Sequence, residues 1–240
     1  CSDPNSKGPG IRENSVEASF TGQYPSRFQK IHLGSYGIVD SALALESLDS
    51  FTVSATIWPT TPKKGRQAII AWGDQTKGGG VLGINKDGRL LGEINTTSIC
   101  HTKPLLARHW YTVWLAYDMV EKTLSVGCLP LSTQHTDLTD IVETKSLDMS
   151  QDKMDSPLLF GAEQKDVIGS HFNGKMERPR IHNFALGVSS FPLSSNEKCF
   201  ADWDFSKQMS STILIDNGSH GLNARLVNMP ARAMTGSNWT

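Results

Sequence analysis

The chain lacks an excess of either charge. Its 23 Lys and Arg and 24 Asp and Glu leave a net charge of −1 and are interspersed, so neither a nucleic-acid partner nor a charged disordered arm is expected. Long apolar runs are missing too. Residues 68–72 form one of the longest, far too short to cross a bilayer, and no basic-then-apolar leader opens the sequence, so no membrane partner is expected. Cysteine is scarce: Cys1, Cys100, Cys128 and Cys199 show no metal-like spacing. Spread so thinly, they read as free thiols of a reducing compartment, the cytoplasm, rather than as a disulfide framework. A chain opening on Cys1 fits a processed lipoprotein, but a cut from a longer polypeptide fits better, since no Met begins it.

The sequence also lacks the signatures of catalysis. No Glu-x-Asp-x-x-Glu strand places an acid and a nucleophile on one face, as in sandwich glycosidases. There is no Gly-x-Ser-x-Gly elbow, no P-loop spacing and no His-Glu-x-x-His. The 7 His are scattered singly. Cys100 and His101 are neighbours, but on a strand they point to opposite faces. The stretch is therefore not expected to be an enzyme by itself.

What the sequence has is period-two alternation. Residues 109–130 read as a hairpin. Tyr111, Val113, Leu115 and Tyr117 form one apolar face, and Trp110, Trp114 and Ala116 make the other apolar as well, which places the strand centrally in its sheet. Residues 118–122 turn the chain, and Leu124, Val126 and Cys128 give the return strand one covered face. The cleanest alternation is residues 51–58, where Phe51, Val53, Ala55 and Ile57 interleave with Thr and Ser.

Around these lie further strands at 16–20, 31–33, 67–72, 81–84, 90–94 and, more weakly, 96–100. Others follow at 158–160, 175–181, 199–205 and 222–227. Pro179 marks 175–181 as an edge or bulged strand. Residues 41–48 and 188–196 read as connections, 74–80 as a glycine-rich loop, and 85–88 as a turn around Asp87-Gly88. The long polar stretch 132–156 is expected to hide a short strand or helix around 138–142. A dozen short strands without an amphipathic helix predict an all-β fold, a two-sheet antiparallel jelly-roll sandwich with less than about a tenth of residues helical.

Several phrases carry a resemblance. FTVSATIWP (51–59), AIIAWGD (68–74), residues 88–95, WYTVWLAYDMVEKTL (110–124) and HFNGKMERPRIHNFAL (171–186) follow one another as in the laminin G-like, concanavalin A-like jelly rolls. The tail 201–230, with Trp203-Asp204-Phe205, Asp216 and Gly221, resembles the opening of such domains. It is therefore expected to dock on the sandwich of 16–187, making 1–240 a single domain in which 199–227 packs on the sheets and 228–240 leads to a missing downstream domain.

DPNSKGPGIRE near the start and LVNMPARAMTGSNW at the end resemble the large subunit of bacterial N,N-dimethylformamidase. That resemblance implies a hydrolase of the C–N bond of small formamides. It also implies an iron held by tyrosines and a glutamate in a domain beyond Thr240. No residue here matches those ligands, so no catalytic residue is assigned. The expected function is a non-catalytic accessory domain of such an amidohydrolase, with the catalytic domain of the same chain and other subunits as partners.

A carbohydrate-binding, lectin-like module is the alternative. It requires a site on the loops at a sandwich end. Trp72 and Asp74, beside the run Gly78–Gly80, form one expected rim, and His171 and Asn173 another. Trp110 and Trp114 offer a second aromatic surface, although tryptophans on a central strand more often pack. The metal content is unknown from sequence. Calcium, common in this fold, has Asp74, Asp216 and Glu177 as its available oxygen ligands, without an EF-hand spacing.

Overall fold

The computed structural model describes residues 18–19, 28–29, 34–40, 48–74, 78–132, 139–145, 157–187 and 199–228. The chain divides into two compact units, residues 1–34 and 35–240. The described part of the first is a two-stranded antiparallel pair, β1 (Ala18–Ser19) and β2 (Phe28–Gln29).

The second unit is a jelly-roll sandwich. One sheet takes β4 (Phe51–Pro59), β9 (Tyr111–Asp118), β10 (Thr123–Pro130), β11 (Asp140–Lys145), β15 (Gly174–His182) and β16 (Ala201–Asp202), in the order β11-β10-β9-β4-β15-β16. The other begins with β3 (Tyr36–Val39), β5 (Gln67–Trp72), β6 (Gly80–Ile84), β7 (Arg89–Ile94) and β8 (Thr97–Pro104). It adds β12 (Leu158–Phe160), β17 (Ile213–Leu214) and β18 (Ala224–Val227), in the order β17-β18-β3-β12-β5-β6-β7-β8. A short pair, β13 (Glu163–Gln164) and β14 (Ile168–Gly169), accompanies them. Every pairing between these strands is antiparallel. The one helical element among the described residues is the 3-10 turn Pro62–Lys64.

The alternation read from the sequence explains the layers. Phe51, Val53, Ala55 and Ile57 of β4 and Tyr111, Val113, Leu115 and Tyr117 of β9 all point into one core. From the other sheet, Ile70, Trp72, Leu82, Ile84, Leu90, Leu158 and Phe160 meet them. Strand β9 is central and buried on both sides, since Trp114 and Ala116 form a second cluster with Leu186 on the outer face.

Several strand expectations need revision. Strand β15 is not simply an edge: β4 covers one side along its length, and β16 covers Arg180 and Ile181 on the other. The expected bulge is present between Glu177 and Arg180, with Arg178 at φ 46°. Pro179, unable to donate, accepts the Trp203 N–H through its carbonyl at 3.0 Å. Residues 199–205 contribute a two-residue strand, Ala201–Asp202, followed by an antiparallel bridge from Trp203 to Asp216, and Tyr36–Val39 forms a further strand that no expectation covered. The segments 31–33, 41–47 and 188–196 lie outside the described residues, whereas β11 stands where a short strand was expected near 138–142.

The last described stretch enters the same core. Strand β18 pairs with β3, and Trp203 is fully buried with its ring 4.7 Å from that of Phe160.

Candidate functional site

The expected rim residues fall into two different settings. Trp72 is a core residue, 2% exposed, edge-on to Phe51 at 5.6 Å and lying over Gly80, where a Cβ would be 2.0 Å from the indole. A ligand cannot stack on a ring so placed. Asp74 follows it and forms a parallel bridge with Gln164. His171 bridges Ala68, at the other end of β5, and its ring lies 6.0 Å from Tyr36. Burial, aided by the Lys64 cation, holds His171 below the ordinary imidazole range. Asn173 ties strands together: its N–H donates to Gln67 Oε1 at 2.8 Å and its side-chain amide to Thr61 Oγ1 at 2.9 Å. Trp72 and Asp74 therefore stand at one end of β5, with Trp72 in the core, and His171 and Asn173 at the other.

The expected calcium carboxylates are likewise separated, with Asp74 after β5, Glu177 in β15 and Asp216 before β18. Asp216 is an organiser of backbone. Its Oδ1 accepts the N–H groups of Asp202 (2.8 Å) and Gly218 (2.7 Å), and its Oδ2 that of Leu222 (2.8 Å). Among the described residues no three His, Cys, Asp or Glu side chains converge on one point.

The remaining buried carboxylates are also engaged. Glu163 accepts two hydrogen bonds from Arg66 at 2.8 Å and one from Ser170 at 2.6 Å. Burial opposes its ionisation, but these donors outweigh burial and hold its carboxyl below the usual range. Arg66 reaches Glu93 as well, so the polar cleft of about 170 Å³ beside it, which Lys165 also lines, has its guanidinium already committed. Asp202 takes a two-nitrogen grip from Arg178 (both nearest contacts 3.0 Å) and an ion pair from Arg180 at 3.5 Å.

Register places that last group on the outer face of the six-stranded sheet. Arg180 stands opposite Ser54, which stands opposite Trp114, which stands opposite Gly127. One row along, His182, Thr52, Ala116 and Ser125 are aligned. Thr52 Oγ1 donates to the Phe184 carbonyl and accepts the Leu186 N–H, both at 2.9 Å, which fastens residues 184–186 across this face. Trp114 is thereby fully buried, and it does not form a stacking platform with Trp110. Nearer the sheet end, half-buried Trp58 carries the Lys175 ammonium 4.7 Å from its ring centroid.

The polar corner of this face joins residues that no motif links. His182 is fully buried, and its Nε2 lies 3.3 Å from Cys199 Sγ. Burial, reinforced by Arg180 and opposed by Asp202, pushes the His182 pKa down to about 4. Arg180 and His182 alternate on one strand, which is a signal in the sequence. Their meeting with Cys199 and Asp202 depends on β16 returning beside β15.

No protein-family model matches the chain. It is similar to N,N-dimethylformamidase beta subunits from Alcaligenes sp, 30% identical over 271 residues, and Paracoccus aminophilus, 29% identical over 270 residues. Each match takes in 99% of this chain and 35% of the relative, so the chain spans about a third of the length of these relatives. Both are named beta subunits, which corrects the large-subunit label. Among solved structures, a Bacteroides ovatus protein described as carbohydrate binding shares the fold. Its TM-score is 0.56 at 15% identity, over 83% of this chain and 60% of that one.

Proposed function

We propose that this chain is the non-catalytic β-sandwich domain of a larger C–N amide hydrolase of the N,N-dimethylformamidase beta-subunit kind, with the catalytic residues outside the matched third. The observation that carries this reading is the alignment of 99% of the chain to 35% of those relatives. The chemistry of the described residues supports it. Among the described residues the buried carboxylates, Glu163, Asp202 and Asp216, are each engaged by internal donors.

On this reading the iron implied by the resemblance belongs to the catalytic portion. Among the described residues, Tyr111 and Tyr117 are core residues of β9, and Tyr111 OH accepts the Leu106 N–H at 2.9 Å. The domain's contribution is to offer the catalytic portion, and any further subunit, a rigid surface.

A chimera tests the reading. The matching third of the Paracoccus aminophilus beta subunit is replaced by this chain, and hydrolysis of N,N-dimethylformamide is followed alongside the isolated chain supplied with ferrous iron. The expected result is activity in the chimera, loss of it when the third is deleted, and none in the isolated chain. Turnover by a contaminant-free preparation of the isolated chain overturns the reading.

A further inference from the structure

We propose that Cys199 is a thiolate-bearing modification site, set up by His182 and Arg178, that reacts with hydrogen peroxide and other small soft electrophiles. The geometry begins with the imidazole. His182 is fully buried, Nε2 faces Cys199 Sγ at 3.3 Å, and Nδ1 makes no hydrogen bond with any described residue.

That orphan nitrogen selects the tautomer. A proton on Nδ1 is a buried donor without an acceptor, the rarer and more costly kind of unsatisfied group. With the proton on Nε2 the interior holds only a bare ring lone pair, and the N–H points at sulfur. Sulfur facing an N–H donor is best satisfied as an acceptor, and a thiolate is the stronger acceptor.

The charged neighbours are balanced. Arg178 and Arg180 both reach Asp202, and Asp204 also attracts Arg178, so two carboxylates face the two guanidiniums. The Arg178 guanidinium is held above its ordinary range chiefly by Asp202, with Asp204 and the Cys199 sulfur adding weaker attraction. Arg178 lies within electrostatic reach of the sulfur and favours its anionic form, beside the His182 Nε2–H donor. Cys199 is half-buried, as is Cys100, whose sulfur accepts from the Asn85 amide at 3.6 Å, whereas Cys128 is fully buried.

With peroxide the thiolate attacks one oxygen, the O–O bond breaks and an S–O bond forms. Sulfur is oxidised by two electrons to sulfenic acid. The departing hydroxide is neutralised by the proton released when the thiolate formed, giving water.

The test uses the whole chain. Iodoacetamide labelling is followed by peptide mass mapping of Cys1, Cys100, Cys128 and Cys199 across pH, and a 1,3-diketone probe traps sulfenic acid after peroxide. Cys199 is expected to label about tenfold faster than Cys100 near neutral pH. His182→Gln should bring it to the Cys100 rate, while Arg178→Lys, which keeps the charge, should largely preserve it. The wild-type pH profile decides even if the glutamine variant fails to fold. A Cys199 midpoint at or above the free-thiol value, or no trapped sulfenic acid at Cys199, overturns the proposal.

Discussion

At the scale of single residues, the two shifted histidines make stability depend on pH in a definite direction. The folded pKa of His182, about 4, lies below the ordinary 6.5, chiefly because burial disfavours the cation and Arg180 repels it. The folded state therefore holds fewer protons than the unfolded chain between those values. Its contribution is complete above about pH 6.5 and is lost as pH falls toward 4, on the order of 2–3 kcal/mol in all. His171, also lowered by burial, acts in the same sense. Urea titrations at about pH 7, 5.5 and 4.5 should show stability falling with acid, and His182→Gln should flatten much of that slope. An unchanged slope in the variant would place the acid sensitivity elsewhere.

Among elements, the central hairpin is held by a size match that binary patterning does not reveal. Trp114 of β9 lies opposite Gly127 of β10, and a Cβ at that glycine would stand 2.2 Å from the indole. The small residue is the space the ring occupies, which is why the outer face of β9 can be filled by so large a side chain. Gly127→Ala should force the ring from its place, costing about 1–3 kcal/mol and lowering Tm by roughly 3–10 °C. Near-UV circular dichroism should change with it, because the indole loses its fixed setting. If Tm is unchanged, the hairpin is looser than this packing implies. The bulge at Glu177–Arg180 is a second such device, turning Pro179 from a missing donor into an acceptor for Trp203.

For the molecule as a whole, the tail 199–228 is the part to test. Trp203 is fully buried, its Nε1 donates to the Leu222 carbonyl at 2.6 Å, and β18 continues the larger sheet through β3. We propose that residues 35–228 unfold as one cooperative unit. Trp203→Ala should then cost about 3–5 kcal/mol and shift a single calorimetric transition without splitting it. Two separated transitions would sink that proposal. The sequence by itself determined the fold class and most strands, because a side-chain period of two is a local property of an extended backbone with one covered face. It also determined that β9 is central, from the apolar residues on both its faces. Only the tertiary structure decided that Trp72 is core and not rim, that His171 and Asn173 sit at the opposite end of β5 from Asp74, and that Asp216 caps backbone N–H groups. It alone brought Cys199 to His182, because which strand lies beside which is set by long-range pairing and inter-sheet packing, and no spacing along the chain records a contact between residues 17 positions apart across two strands.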